Sequence, residues 1–496
     1  MGQRAHHWAR LDEVEHWDMI VIGGGATGLG IALHAAASGM KTVLFERGDF
    51  AQGTSSRSTK LIHGGVRYLQ QGNIKLVKEA LRERGLLMQN APHLVNNMRF
   101  VIPAFSTWRK WYYTLGLKVY DRLAGRLGLG RSESLSSSEV AGLLPKVITR
   151  NLHGGTAYHD GQFDDAHLAL SIANTAAYHG ATLLNHCSVT ELNHADGRIA
   201  GVTIRDELSK TTRQVTAQFV VNAAGPFSDS ITEMDEPTHQ PVIRASQGIH
   251  LVIDRSFFPG ECAMLIPKTR DGRILFAVPW HDRVILGTTD SPLDQVHREP
   301  IAASEEITFI LDHLQHYLDP CPTTKDILSA FAGIRPLVHL SDKKTAELAR
   351  DHIIRRSQSG LISVLGGKWT TYRKMASDVM KKVQRISPQP LAIADTRMLR
   401  MADFNQPLRS ASIEHMEDDV LAAFVQHEIN HSMCMTIEDF LSRRTRQLLL
   451  NARFASAIAP KIAAIMAANL GHNKDWERNQ IESFQLLASN YIPKST

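Results

Sequence analysis

A chain of 496 residues with 43% apolar content can bury an extensive core in several domains, which excludes a disordered or low-complexity protein. Its formal charge of +5 is mild for that length and gives no global support to nucleic-acid binding. The four cysteines, Cys187, Cys262, Cys321 and Cys434, form no C-x-x-C pair, so neither a disulfide framework nor a metal site is expected, and a reducing compartment is the simplest reading. The first 17 residues carry charges and histidines where a cleaved signal needs an apolar run, and they read as an extension or cap. No stretch supplies the roughly 20 apolar residues of a spanning helix; Ile20 to Met40 comes nearest and is broken by six glycines.

From Asp18 the chain reads as a β-branched strand, a glycine turn, a small-residue helix and a second strand ending at Glu46, which is one βαβ unit. Gly23, Gly25 and Gly28 make G-x-G-x-x-G between that strand and that helix. The first glycine permits the tight turn, the second lets a pyrophosphate approach the backbone, and the helix N-terminus offers amides and a partial positive charge. Glu46, 18 residues after Gly28, is placed to accept the ribose hydroxyls of an adenosine and to repel the phosphate of NADP. NAD and FAD use the same unit, so these residues alone do not separate them.

Further along, Ala104 to Arg131 combines six basic residues, one acid and six aromatics, a composition suited to an anionic headgroup region. Gln218 to Val221 and Leu361 to Leu365 read as buried strands running into small residues, as strands do beneath a ligand. Val242 to Thr289 alternates apolar and polar residues and predicts an antiparallel, substrate-binding sheet. Trp369 to Ile386 places apolar residues at helical spacing with basic residues on other faces, which makes it a second amphipathic candidate for a membrane surface. Beyond Ile386, Pro388 and Pro390 break the chain, and Ile437 to Tyr491 has helical spacing without strand signals.

The segment G-T-S-S-R-S-T-K-L-I-H-G-G-V-R-Y-L (Gly53 to Leu69) decides the cofactor. With Gly23 to Glu46 it resembles the FAD-dependent glycerol-3-phosphate dehydrogenases, within the D-amino-acid-oxidase-like flavoprotein fold. Similar motifs recur in order at Asn222 to Phe227, Pro279 to Asp290, Ala332 to Leu337 and Gly366 to Arg373, and Asp439 to Arg446 (D-F-L-S-R-R-T-R) resembles the accessory domain of that family. The resemblance implies FAD as cofactor and sn-glycerol 3-phosphate as substrate. It also implies oxidation to dihydroxyacetone phosphate by hydride transfer to flavin N5, with electrons passed to a quinone. It places the enzyme peripherally on the cytoplasmic face of the inner membrane and leaves open whether two copies form a homodimer.

Several side chains then acquire expected roles. Gly366, Gly367, Lys368 and Thr370 sit where a strand turns into a helix, so amides, helix dipole and ammonium can hold the reduced flavin. Ser55, Ser56, Thr59 and Lys60 are expected along the pyrophosphate and ring, with His63, Gly64 and Gly65 close to the isoalloxazine; Val189, Ala224 and Gly225 complete the cofactor set. A phosphorylated substrate demands fixed cations, for which Arg67, Arg335 and Arg350 are the candidates, with Tyr68 and Thr371 beside them. His250 is the favoured base, since imidazole titrates near neutral pH; His63 or a water held by Arg335 is the alternative. Arg335 and Lys368 are expected to act in catalysis with it.

The expected architecture is α/β: a Rossmann-like FAD-binding domain (18–85 with 150–240 and 330–387), an antiparallel-sheet substrate or cap domain (86–149 with 241–329) and a C-terminal helical domain (388–496). Two competing readings remain at this stage. One is a glycerol-phosphate, hydroxy-acid or amine oxidase of the same fold that uses O₂; the other is a non-catalytic flavin-binding sensor or assembly subunit.

Overall fold

In the structure, a computed structural model, residues 3–66, 72–267, 269–270, 272–339, 352–402 and 413–494 are described. The strand Trp17–Ile22 is buried at every position except the half-buried Asp18. It lies between two parallel neighbours, Thr42–Phe45 and Thr212–Asn222. Near-continuous apolar runs of this kind suit a parallel sheet covered on both faces. The sheet is eight-stranded, in the order His352–Arg356, Ile362–Gly366, Thr212–Asn222, Trp17–Ile22, Thr42–Phe45, Thr182–Leu184, with Cys187–Ala195 and Arg198–Asp206 as an antiparallel extension. The helices Ala26–Ala37, Asp165–Tyr178 and Tyr372–Ile386 pack their buried faces into one core with it.

A second, ten-stranded and mainly antiparallel sheet has Ile243–Asp254 hydrogen-bonded to Arg283–Gly287, Ser291–Pro292 and Ile327–Val338, and extends through Leu275–Trp280, Ala263–Ile266, Val95–Pro103 and Gly155–Phe163 to Leu61–Ile62. Three of these strands depart from the division read from the sequence. Leu61–Ile62, Gly155–Phe163 and Ile327–Val338 from residue 330 onward fall in ranges read as the cofactor unit and lie in the antiparallel sheet, because alternation marks a strand without saying which sheet it joins. The expected boundary at 85/86 also falls inside the continuous helix Ile74–Asn90.

The C-terminal domain is helical, with Asp418–Ser432, Ala452–Leu470 and Lys474–Ser489 around a core that also takes in Val252, Trp280, Ile285 and Phe331 of the antiparallel sheet. It is joined to the cofactor unit by buried ions. Asp49, fully buried, accepts from Arg443 Nε at 2.5 Å and from Arg444; Asp439 meets His186 at 2.8 Å and Arg443 at 2.9 Å; Arg446 reaches Asp164 at 2.7 Å. Asp49, His186 and Asp439 have the ligand count of a metal site, but the two guanidinium groups already neutralise them. The N-terminal helix Gln3–Glu13 is pinned to the same unit, Arg4 donating to Asp206 at 2.6 Å and to the Asn185 carbonyl at 3.1 Å.

The two basic amphipathic segments separate. Tyr372–Ile386 turns Tyr372, Met375, Val379 and Val383 into the core, with Arg373 bound to Glu83 at 2.5 Å and Lys374 paired with Asp378. Its apolar face is covered, so the second membrane candidate is withdrawn. The helix Thr107–Ala124 does the reverse: Trp108 is 76% exposed, Trp111 70% and Leu115 63%, with Tyr112 and Val119 beside them, while Leu117 and Tyr120 face inward.

Candidate functional site

A cavity of about 560 Å³ lies where the two sheets meet. One end is built on the glycine turn. Gly23 has φ +109°, and a Cβ there would stand 2.6 Å from the Ala223 carbonyl oxygen, so only glycine fits. A side chain at Gly28 would overlap the Gly23 carbonyl; this third glycine serves helix packing and does not line the cavity. The helix Ala26–Ala37 has no side-chain cap at Gly25, and Gly25, Ala26 and Thr27 form the cavity wall. The Ala26 amide donates to Ser55 Oγ at 3.0 Å, and this helix N-terminus in its glycine cradle, with the serine hydroxyl against it, has the character of a pyrophosphate site.

Glu46 also lines the cavity. Its carboxylate accepts from Gly24 N at 2.6 Å and Gly48 N at 2.9 Å, which fixes its orientation. Val189, Ala224 and Gly225 are on this wall as well. Two residues not singled out in the sequence join them: Arg47 lies 3.9 Å from the Phe227 ring centroid, and Arg298 donates to Gln52 at 3.0 Å. Burial holds Arg47 below the usual arginine pKa. Its position directly after Glu46, with Phe227 inside a quoted motif, was the available signal.

At the other end Thr59, His63, His250, Arg335, Gly366, Gly367, Lys368 and Thr370 line the cavity, with Ser55 between them and the glycine turn. Gly366 and Gly367 have φ +76° and +92°, which turns the strand Ile362–Gly366 sharply into the helix Tyr372–Ile386. Trp369 Nε1 donates to the Ser55 carbonyl at 2.8 Å, tying this turn to the serine loop. Arg335 is clasped: Nη1 donates to the Gln247 carbonyl at 3.3 Å and Asp290 at 3.2 Å, and Nη2 to Thr288 Oγ1 and the Thr289 carbonyl, both at 3.0 Å. His250, 2% exposed, stacks on Phe331 with centroids 4.9 Å apart, and its Nε2 is 2.8 Å from Thr59 Oγ1. Burial first, then Arg335 and Lys60, hold its pKa well below the ordinary imidazole value, so the ring is neutral near pH 7. His63 is exposed on the same wall.

Other expected residues stand elsewhere. Lys60 is fully buried, its Nζ bound to both Asp165 oxygens at 2.8 and 2.7 Å and to the Ser56 carbonyl at 2.6 Å. It is a structural ion pair and not a cofactor ligand, and Ser56 is buried beneath it. Gly64 N donates to Tyr120 Oη at 2.8 Å, behind the wall with Gly65. Thr371, 5% exposed, donates to the Lys368 carbonyl at 3.3 Å and supports the turn rather than facing the cavity. Arg67, Tyr68 and Arg350 lie outside the described residues.

Residues 18–373 match a family model described as FAD dependent oxidoreductase, and 394–477 match one described as the C-terminal domain of alpha-glycerophosphate oxidase. A probable mitochondrial glycerol-3-phosphate dehydrogenase of Caenorhabditis elegans is 36% identical over 530 residues, covering 95% of this chain and 73% of that protein; the mitochondrial glycerol-3-phosphate dehydrogenase of Rattus norvegicus is 36% identical over 536 residues with the same coverage. Among solved structures, the glycerol-3-phosphate dehydrogenase of Bacillus halodurans complexed with FAD superposes with TM-score 0.80 at 29% identity, over 99% of this chain and 98% of that one. The L-alpha-glycerophosphate oxidase of Mycoplasma pneumoniae shares the fold, with TM-score 0.60 at 18% identity over 78% of this chain and 98% of that one.

Proposed function

The chain belongs to the FAD-dependent glycerol-3-phosphate dehydrogenases, and from that premise we propose how its cavity divides the work of oxidising C2 of sn-glycerol 3-phosphate. The carrying observation is a single cavity with a pyrophosphate cradle at one end and Arg335, Lys368 and the His250–Thr59 pair at the other. When bound, the flavin supplies the hydride acceptor at N5 and so the two-electron chemistry. The turn of Gly366, Gly367, Lys368 and Thr370 supports negative charge at the pyrimidine end of the ring. Arg335 contributes a fixed positive charge for the substrate phosphate, joined by Arg67, Arg350 and Tyr68. Neutral His250 takes the proton of the C2 hydroxyl, since only a deprotonated imidazole can accept one. Anaerobic titration of the purified enzyme with glycerol 3-phosphate should bleach the flavin stoichiometrically; a spectrum that stays oxidised would overturn the substrate assignment.

Reoxidation by a membrane quinone, with the enzyme peripheral on the cytoplasmic face of the inner membrane, is supported by the exposed stripe of Trp108, Trp111, Tyr112, Leu115 and Val119, interleaved with Arg109, Lys110, Lys118 and Arg122. Among the described residues no helix is long and apolar enough to cross a membrane. Replacing Trp108 and Trp111 by serine should weaken sedimentation with anionic vesicles at least 10-fold, since each buried aromatic contributes about 1.5–3 kcal/mol. Flavin content and turnover with a soluble acceptor should not change. Mixing reduced enzyme with a short-chain quinone or with O₂ in a stopped-flow instrument separates a dehydrogenase from an oxidase: the quinone should reoxidise it faster.

A further inference from the structure

His250 touches the cavity through very little of its ring. One face lies on Phe331, the Cδ2 edge is turned to Gly287, and Nδ1 is sealed without a hydrogen-bond partner. Nε2 is therefore the nitrogen able to exchange a proton with the cavity, and it is bonded to Thr59 Oγ1 at 2.8 Å. Thr59 is half-buried and stands on the cavity wall. Its backbone is held from behind: Lys60, with φ +62°, is anchored to Asp165, and Ser58 donates to the same carboxylate through its backbone N at 3.1 Å and its Oγ at 2.7 Å. The hydroxyl is thus fixed between the cavity and the imidazole.

We propose that Thr59 is a catalytic residue: its hydroxyl relays the proton of the substrate C2 hydroxyl to His250 Nε2. The inference rests on His250 as the base. In the resting state His250 carries its proton on Nδ1 and Thr59 Oγ1 donates to Nε2. During oxidation the substrate O–H proton passes to Thr59 Oγ1 as the proton of Thr59 passes to Nε2. The C2–H bond breaks with its electron pair leaving as hydride to the oxidised cofactor, and the C2=O bond of the ketone forms. One proton is stored as imidazolium and the threonine ends unchanged. Arg335 and Lys60, which oppose that imidazolium, are faced by Asp290 and Asp165 respectively, and the substrate phosphate adds negative charge on the Arg335 side.

The test compares Thr59→Val, which keeps the shape and removes the hydroxyl, with Thr59→Ser, which keeps it. The readouts are the rate of flavin reduction in anaerobic single turnovers and, in histidine-¹⁵N-labelled protein, the Nε2 resonance assigned by its loss in His250→Gln. Thr59→Val should slow reduction about 100-fold, within the range for positioned proton transfer, and shift the Nε2 resonance. Thr59→Ser should stay within a few-fold of the parent on both, and Thr59→Val combined with His250→Gln should be no slower than the slower single variant. If the valine variant does not retain flavin, Thr59→Ala is read against Thr59→Ser in the same way. A valine variant as fast as the parent, beside a slow His250→Gln, overturns the relay and keeps His250 as the base. Full speed in both overturns the assignment of His250 itself.

Discussion

Asp49→Asn should purify with little flavin and unfold well below the parent. Asp49 is fully buried and receives both Arg443 and Arg444, themselves almost inaccessible. Burial works against the guanidinium charge, yet Asp49, Glu438 and Asp439 outweigh it and hold Arg443 well above the usual arginine pKa; the variant loses the largest of these influences, while a guanidinium keeps its charge even when partly buried. Removing the carboxylate charge leaves both arginines partly uncompensated in a low-dielectric interior, which costs about 3–5 kcal/mol where one partner of a buried pair is lost. An exposed pair such as Arg478–Asp475 would cost at most about 1 kcal/mol.

The loss should reach the cofactor because Asp49, itself buried, anchors the loop that forms part of the cavity wall. Arg47, Ala51, Gln52 and Gly53 line the cavity, Ala51 N donates to the Gly24 carbonyl at 2.9 Å, and Gln52 is bound to Glu438 at 2.8 Å. Flavin content by absorbance and a thermal melt followed by released flavin fluorescence measure both effects. A variant with full flavin and an unshifted melt would show that the C-terminal domain does not hold this loop.

That coupling marks where reading the sequence stops. The glycine turn was legible because its three roles are local: a tight bend, a close approach and a helix contact fall within a few residues of one another. The strands of the second sheet were legible from alternation, but their assignment to a sheet was not, since pairing depends on partners distant in sequence. Lys60 read as a phosphate ligand because a lysine in a serine-rich loop has no local partner; the partner it has, Asp165, lies 105 residues away. The segment from Trp369 to Ile386 and the helix Thr107–Ala124 carry similar apolar periodicity. Only the first is covered, by the helix Ala26–Ala37 and its core. Likewise D-F-L-S-R-R-T-R was visible as a motif, whereas its meeting with Asp49 was not.

Arg335→Ala should raise KM for glycerol 3-phosphate about 100-fold, ~3 kcal/mol for truncating one partner of a desolvated charge pair, while flavin remains bound. The four acceptors around the guanidinium, Gln247, Asp290, Thr288 and Thr289, hold its planar fork, so Arg335→Lys should recover little of the loss. The same variant should also move a pH limb. With His250 as the proposed base, proton acceptance needs its neutral ring, so kcat/KM should fall as pH drops through the pKa of that ring. Burial, Arg335 and Lys60 lower that pKa well below the ordinary value, so the parent should keep its kcat/KM undiminished through pH 6.5 and lose it only in more acidic solution. Removing Arg335 deletes one lowering influence and leaves burial and Lys60, so the limb should move upward toward 6.5. A parent profile that already bends near 6.5 would point instead to an exposed imidazole, with His63 on the cavity wall as the base.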